Sequence, residues 1–559
     1  MSQFTAALVA AAASAQGMTT GDPAAPVRTG WREVHSRARR MAAVLADRGV
    51  GAGSAVAVLA ATPADIAPAA QAVWLAGGSV TMLHQPTART DLASYAHETA
   101  TVLGVIGARF IIVGAPFESA AEALVAGGIS VLNIPDLDAG DDTEFEPIAV
   151  DEASTALLQL TSGSTATPKA VRITHANLWA NIEAMCATAD LQAGRDVMVS
   201  WLPLFHDMGM VGFLTLPMCR GLELVKVTPG DFLRNPLLWP ELISRFGGTC
   251  TAAPNFAYAI TARVLPRATG VDLSSLRFAL NGAEPIDVAA TEAFLEAGAP
   301  FGLPATAMVP AYGMAEATLG VAFHPWGTPL QIDTVDAVAL ENERKAVPVN
   351  ESEPKHADDG ALRRYPLLGP PLPGIEVTVK AADGRELGER EVGVLQLRGD
   401  SVTSEYLTVD GPLPTRGADG WLDTGDLGYL VNGQVVVCGR VKDVIIMGGR
   451  NIYPTDIERV AQTVAGVRAG NAAAVRWSTG GGRESFAVVV ESREAGDAAA
   501  VQRITDGVRS LVTSVIGARP ALVQVVPVGT LPKTPSGKIK RAAAAGLLRD
   551  AVGAAADRH

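Results

Sequence analysis

Leu158-Gln-Leu-Thr-Ser-Gly-Ser-Thr-Ala-Thr-Pro-Lys169 is the stretch from which the rest of the chain is read. The apolar run Thr155 to Leu160 predicts a buried strand, which breaks into a loop crowded with Ser, Thr and Gly. Such a loop offers hydroxyls and unobstructed backbone N–H groups, which is what phosphate oxygens need. Lys169 adds a mobile positive charge, and Thr174 is a plausible N-cap for a helix over Ala176 to Ala189. The spacing does not fit G-x-x-x-x-G-K-[ST], so this is not the common P-loop of nucleoside triphosphatases. In isolation, the same residues read equally well as a surface turn.

The strand and helix belong to a longer alternation. Val34, Ala38, Met41, Val44 and Leu45 lie three or four apart and make Trp31 to Val50 an amphipathic helix. A strand is predicted at Ala55 to Leu59, a helix around Ile66 to Leu75, and strands at Val80 to Leu83, Phe110 to Val113 and Val131 to Ile134. After the loop, strands are predicted at Val197 to Trp201, Leu222 to Val227 and Phe278 to Leu280. This alternation implies an α/β domain with helix-wrapped, mainly parallel sheet.

Glu341 to Arg364 is polar and turn-rich, and reads as an exposed insertion or loop. A β-rich segment follows, with strands at Ile375 to Val379, Val394 to Arg398 and Val435 to Cys438. Beyond Arg440 the character changes to a small α+β unit. It has helices at Pro454 to Gly466 and around Val501 to Val515, and strands at Phe486 to Glu491 and Leu522 to Val526.

A chain of 559 residues exceeds one compact core, and 48% hydrophobic with 18% charged residues is a globular composition. The net charge of −13 argues against a nucleic-acid partner but not against a small anionic ligand held by a few local cations. Cys186, Cys219, Cys250 and Cys438 form no C-x-x-C pair, which fits reduced thiols in the cytoplasm rather than zinc or a disulfide framework. Phe4 to Gly17 is Ala-rich, but no Lys or Arg precedes it, so a short helix is expected rather than a signal peptide. Ile66 to Ala88 is uncharged but broken by Pro68, Gly77 and Gly78, so no membrane span is expected.

Four further runs suggest chemistry. Trp201-Leu-Pro-Leu-Phe-His-Asp-Met-Gly209 sets His206 among apolar neighbours, and Ala253-Pro-Asn-Phe-Ala-Tyr258 follows it. Asp272 to Pro285 contains Asn281-Gly-Ala-Glu-Pro, a strand leaving into a turn where backbone can approach a planar ligand. Ala311-Tyr-Gly-Met-Ala-Glu-Ala-Thr318 presents an aromatic ring able to stack on a base and a carboxylate able to hold a hard cation. Each run alone is read as easily as core or turn.

Taken in this order, these runs resemble the core motifs of the adenylate-forming superfamily, and most closely its fatty acyl-AMP ligases and acyl-CoA synthetases. Asp423-Thr-Gly-Asp-Leu-Gly428, Gly439-Arg-Val-Lys-Asp443, Gly449-Arg-Asn-Ile-Tyr-Pro454 and Leu531-Pro-Lys-Thr-Pro-Ser-Gly-Lys538 extend the resemblance over essentially the whole chain. Ala166 and Ala170 depart from it, standing where many members carry Gly.

The resemblance implies a role for each matched residue. Thr161, Ser162, Gly163, Ser164, Thr165 and Lys169 would grip the ATP phosphates, and Glu316 with Thr165 would hold Mg²⁺. Tyr312 would stack on adenine beside Gly282, Ala283, Gly313 and Met314, and Asp426 with Arg440 would take the ribose. His206, Asn255, Phe256 and Asn281 would line the acyl pocket. Lys538 would bridge the substrate carboxylate and the α-phosphate, and Lys442 would be the pivot of a mobile C-terminal domain. The implied organisation is an N-terminal domain over 1–439, a hinge at 440–443 and a C-terminal domain over 444–559. The implied reaction joins a carboxylic acid to ATP, with transfer to an acyl carrier protein or to CoA. A luciferase-like oxygenase and an inactive nucleotide-binding module remain as alternatives.

Overall fold

The computed structural model describes residues 1–86, 90–119, 128–141, 144–161, 168–349, 362–447, 450–479, 483–534 and 538–556. Two eight-stranded sheets form the larger part of the chain. In the first, the order is Gly320–Phe323, Met308–Gly313, Phe278–Gly282, Cys250–Pro254, Val197–Ser200, Glu223–Lys226, Gly17–Thr20 and Val27–Gly30. In the second, it is Gly411–Pro414, Glu405–Thr408, Lys169–Thr174, Thr155–Thr161, Ser79–Met82, Ala55–Leu59, Phe110–Val113 and Ser130–Asn133. In the first sheet the inner pairings are parallel and the two edge pairings antiparallel, as in Met308–Gly313 with Gly320–Phe323. In the second, Thr155–Thr161 to Ser130–Asn133 pair in parallel, and the remaining pairings, from Gly411–Pro414 through Lys169–Thr174 to Thr155–Thr161, are antiparallel. The expected α/β architecture is therefore present. Its predicted N-terminal helix spans Gln3–Ala11, with the Ser2 side chain accepting from the Thr5 N–H.

One strand was not expected, although the helix capped by Thr174 is present as read. Lys169–Thr174 is a strand that pairs antiparallel with Thr155–Thr161, and only then does His175–Thr188 begin, with Thr174 as its N-cap. The strand is flanked by Glu405–Thr408 on its other edge, and Ala170, Val171 and Ile173 are all fully buried. A strand covered on both faces loses the polar–apolar alternation that would have announced it.

The polar stretch from Glu341 to Arg364 is also not simply exposed. Residues 350–361 lie outside the described part, but Glu341 and Arg363, near its two ends, are buried. They survive burial because they are paired. Arg363 lies 2.7 Å from Glu341 and 2.8 Å from Asp456, and Arg450 donates to the second Glu341 oxygen at 2.6 Å. Residues 342–345 are exposed as expected, whereas composition reveals charge but not the pairing that buries Glu341 and Arg363.

Beyond Ile445 the buried side chains form their own clusters around a three-stranded sheet, Ala472–Thr479, Arg483–Glu491 and Leu522–Val526. The first strand escaped prediction because Ala472-Ala-Ala has no β-branched signature. Phe486, Val488 and Val490 pack towards Ile457, Ile504, Val508 and Val512, while Ala487 and Val489 face Leu531, Ala544 and Leu548. Each fully buried side chain of this size contributes about 1.5–3 kcal/mol. No helix among the described residues is long and apolar enough to cross a membrane.

Candidate active site

Four parallel strands of the first sheet end side by side, and the segments leaving their C-terminal ends carry most of the singled-out residues. Asn255 and Phe256 follow Cys250–Pro254, Ala283 and Glu284 follow Phe278–Gly282, Met314 and Glu316 follow Met308–Gly313, and His206 follows Val197–Ser200. Open α/β sheets bind ligands at this edge. Gly282 packs tightly here, since a Cβ would stand 3.1 Å from the Ala311 carbonyl oxygen. Ala283 adopts a positive φ of 67°, unusual for a residue with a side chain, as the chain turns out of the strand.

At the phosphate end, Thr161 closes its strand with a buried Oγ1 that has no partner among the described residues, and Ser162, Gly163, Ser164 and Thr165 lie outside them. Lys169 sits one strand over, its Nζ 3.9 Å from Glu316 Oε1 and 3.7 Å from the centre of the Tyr406 ring. The Tyr406 hydroxyl donates to that same Glu316 oxygen at 2.6 Å. Burial lowers the Lys169 ammonium from its ordinary range, Glu316 opposes the shift, and Arg440 adds to it.

Next to this lies a polar triplet, in which Tyr312 and Asp426 are buried and Arg440 is half exposed. The Tyr312 hydroxyl donates to Asp426 Oδ2 at 2.7 Å, and Arg440 Nε donates to Asp426 Oδ1 at 2.9 Å. The Met314 sulfur lies 3.7 Å from the Tyr312 hydroxyl. Gly313 allows the chain to fold back tightly, since a Cβ would come within 2.3 Å of the Leu319 oxygen.

The third wall is built around His206, whose Nδ1 lies 2.6 Å from Asp207 Oδ1. Burial alone would raise the Asp207 carboxyl, but His206, Lys538 and the Met208 N–H outweigh it and hold it below the usual range. Opposite, the Phe256 N–H donates to Glu284 Oε1 at 2.6 Å, and burial pushes that carboxyl up. Asn281 is fully buried and donates to Asn255 at 3.3 Å and Thr291 at 3.2 Å, while Asn255 accepts from the Asp287 N–H.

Lys538 comes from the far end of the chain to these walls. It is partly buried, and its charge interacts with Asp207, Glu284 and the Asp426–Arg440 pair. Burial lowers its ammonium, Asp207 and Glu284 oppose this, and Arg440 reinforces it. Lys442 lies on an exposed turn just past Arg440, and its charge interacts with Arg440, Asp443, Asp426 and Lys169. Sequence reasoning gave no role to Asp207 or Glu284, although both stand inside quoted motifs. Tyr406 carried no signal at all, because only the pairing of Glu405–Thr408 with Lys169–Thr174 brings it to the site.

A sheet pair with these strand-end segments and a C-terminal lysine carried back to them defines an adenylate-forming enzyme. The structure of fatty acyl-adenylate ligases from E. coli and L. pneumophila matches with a TM-score of 0.90 at 30% identity, over 99% of each chain. Residues 12–407 match the family described as AMP-binding enzyme, and the chain belongs to that family. Among its relatives, Rv1013 of Mycobacterium tuberculosis is 54% identical over 97% of this chain and 99% of its own. The medium-chain-fatty-acid–[acyl-carrier-protein] ligase JamA of Moorena producens is 34% identical over 69% of this chain and 67% of its own.

Proposed function

We propose that this protein is an acyl-AMP ligase for a fatty or other apolar carboxylic acid, with the phosphopantetheine thiol of an acyl carrier protein as final acceptor. The observation that carries this reading is the arrival of Lys538 among Asp207, Glu284 and the Asp426–Arg440 pair. In the first half-reaction a carboxylate oxygen attacks the α-phosphorus of ATP, and the bond to the bridging oxygen breaks, releasing pyrophosphate. Both reactants are anionic, so the work of the site is positioning and neutralisation of charge. No side-chain nucleophile is needed.

In this reading Lys169, Thr161 and the 162–165 loop hold the β and γ phosphates. Tyr312 lines the adenine side with Gly282, Ala283, Gly313 and Met314, and Asp426 and Arg440 hold the ribose. Lys538 stabilises the charge that builds on the α-phosphate, and His206, Asn255, Phe256 and Asn281 line the acid's entry. Mg²⁺ suits the donors present: Glu316 supplies a carboxylate beside Lys169, and Thr161 Oγ1 is buried without a partner among the described residues. This cation is typically bound by one or two carboxylates plus substrate phosphates, whose negative charge it offsets. In the second half-reaction the thiol attacks the acyl carbon and AMP leaves. We further propose that 1–439 and 444–559 act as two domains hinged at 440–443 with Lys442 as pivot. The four cysteines are free and buried, which supports a reducing cytoplasmic setting.

Exchange of labelled pyrophosphate into ATP, measured with a panel of acids, tests the first step. Exchange that depends on a fatty acid is expected, and its absence with every acid overturns the reading. Adding acyl carrier protein or CoA to the charged enzyme tests the acceptor, and thioester formation with CoA alone would reassign the protein as an acyl-CoA synthetase.

A further inference from the structure

Tyr406 lies in none of the runs that define the site, yet it touches two of the charged groups assigned to the triphosphate. Its ring lies under the Lys169 ammonium at 3.7 Å, and its hydroxyl donates to Glu316 at 2.6 Å. The backbone around it is built to keep it there. Tyr406 stands opposite Val171 in the ladder that joins Glu405–Thr408 to Lys169–Thr174, so it is fixed to the strand that starts at Lys169. The chain leading into it is tied to the other partner: the Thr403 N–H donates to the Glu316 carbonyl at 2.8 Å, and the Thr318 hydroxyl donates to the Ser401 carbonyl at 2.8 Å. Thr318 holds a positive φ of 71°, so the turn bearing Glu316 is a strained one that these bonds keep in place.

We propose that Tyr406 is a positioning residue for the metal–triphosphate end of ATP, its ring presenting Lys169 and its hydroxyl presenting the Glu316 carboxylate. The inference rests on the acyl-AMP ligase reading above. Lys169 and Glu316 have opposite charges and lie 3.9 Å apart, so in the free enzyme they attract one another. Left alone, each would neutralise the other. A neutral phenol between them gives the ammonium an aromatic face and the carboxylate a hydrogen bond, without adding a charge that would compete with phosphate or cation.

The roles of ring and hydroxyl separate in two variants. Tyr406→Phe keeps the ring under Lys169 and frees Glu316. The KM for ATP at limiting Mg²⁺ is expected to rise about tenfold, as for loss of a hydrogen bond to a charged group, with little change in kcat at saturating Mg²⁺. Tyr406→Leu removes both contacts, and ATP binding measured calorimetrically in EDTA is also expected to weaken severalfold. The KM for the acid, and transfer from supplied acyl-AMP to the thiol, should not move, since neither involves the triphosphate. If Tyr406→Leu fails to fold, Tyr406→Phe, which preserves the packed volume, carries the test through its Mg²⁺ dependence. Wild-type ATP binding in both variants, with and without Mg²⁺, overturns the proposal while leaving the ligase reading intact. Parallel losses in acid and ATP parameters make Tyr406 merely structural and overturn it equally. A wild-type enzyme that exchanges no pyrophosphate overturns the ligase reading, and this inference with it.

Discussion

Arg440 stands directly opposite Asp426 in the antiparallel ladder, and its Nε donates to the Asp426 carboxylate at 2.9 Å, while Tyr312 donates to the other oxygen. The carboxylate is buried, and the guanidinium is half exposed. Asp426 is thus held from both sides by groups that fix its direction, which is the condition for binding a diol selectively.

Asp426→Ala should weaken ATP and acyl-AMP binding by roughly 1.5–3 kcal/mol, the scale of hydrogen bonds to a charged group. It also strands the Tyr312 hydroxyl and Arg440, so Asp426→Asn, which keeps one acceptor, should lose less. Calorimetric titration with ATP decides this, and unchanged affinity in the Ala variant would remove Asp426 from the nucleotide site.

Some of this was legible in the sequence and some was not, for physical reasons. Ala55–Leu59, Phe110–Val113 and Leu522–Val526 appear where local patterns put them, because each is a short apolar run between breakers. The strand Lys169–Thr174 was missed because it is covered on both faces, and Ala472–Thr479 because alanine is silent about strands. Within the site, residues in short dense motifs such as Tyr312 to Glu316 could be singled out. Asp207, Glu284 and Tyr406 could not, since their significance lies in what stands opposite them. Pairing across the fold leaves no mark in one chain's residue order.

The buried charges at Glu341, Arg363 and Asp456 give a stability prediction. Glu341 accepts from Arg363 through one oxygen and from Arg450 through the other, and its backbone carbonyl accepts from Asn451. Glu341→Ala takes from the buried Arg363 one of its two carboxylate partners, leaving Asp456. Removing one member of such a buried pair typically costs about 3–5 kcal/mol. Chemical denaturation should show a loss of this order, whereas Arg398→Ala, which breaks the solvent-screened surface pair with Glu376, should cost far less. Equal losses in the two variants would mean the buried network is not stabilised as drawn.

A pH dependence follows from His175. It is fully buried, its Nδ1 lies 2.8 Å from Ser2 Oγ, its Nε2 has no partner, and burial pushes it down to about 4. Between about pH 6.5 and pH 4 the unfolded chain binds a proton at this position that the folded chain refuses. Stability from this residue is therefore full above that window and falls as the pH drops through it. Relative to the non-titrating His175→Gln, wild type should lose roughly 2 kcal/mol between pH 7 and pH 5. Denaturation curves of both proteins at the two pH values test it, and a constant difference between them would show that His175 takes up its proton as readily in the fold as in the unfolded chain.

Lys538 offers the sharpest test of mechanism. Its backbone N–H donates to the Thr534 hydroxyl at 3.0 Å, and its charge reaches Asp207, Glu284 and the Asp426–Arg440 pair. A lysine there only as a solvated surface charge would tolerate Lys538→Ala with little change in stability or rate. A lysine that neutralises charge as the carboxylate meets the α-phosphate would, on removal, cost about 10²–10³ in rate, the typical effect of losing one preorganised donor. Transfer of the acyl group from AMP to a thiol builds no new bond at phosphorus, so that step does not need it. Lys538→Ala should therefore be nearly inactive with acid and ATP, yet transfer supplied acyl-AMP to acyl carrier protein at close to the wild-type rate. Its ATP affinity should hold, because Lys169, Asp426 and Arg440 remain. Near-normal adenylation by the variant, or equal loss of both steps in a folded protein, would take Lys538 out of the transition state.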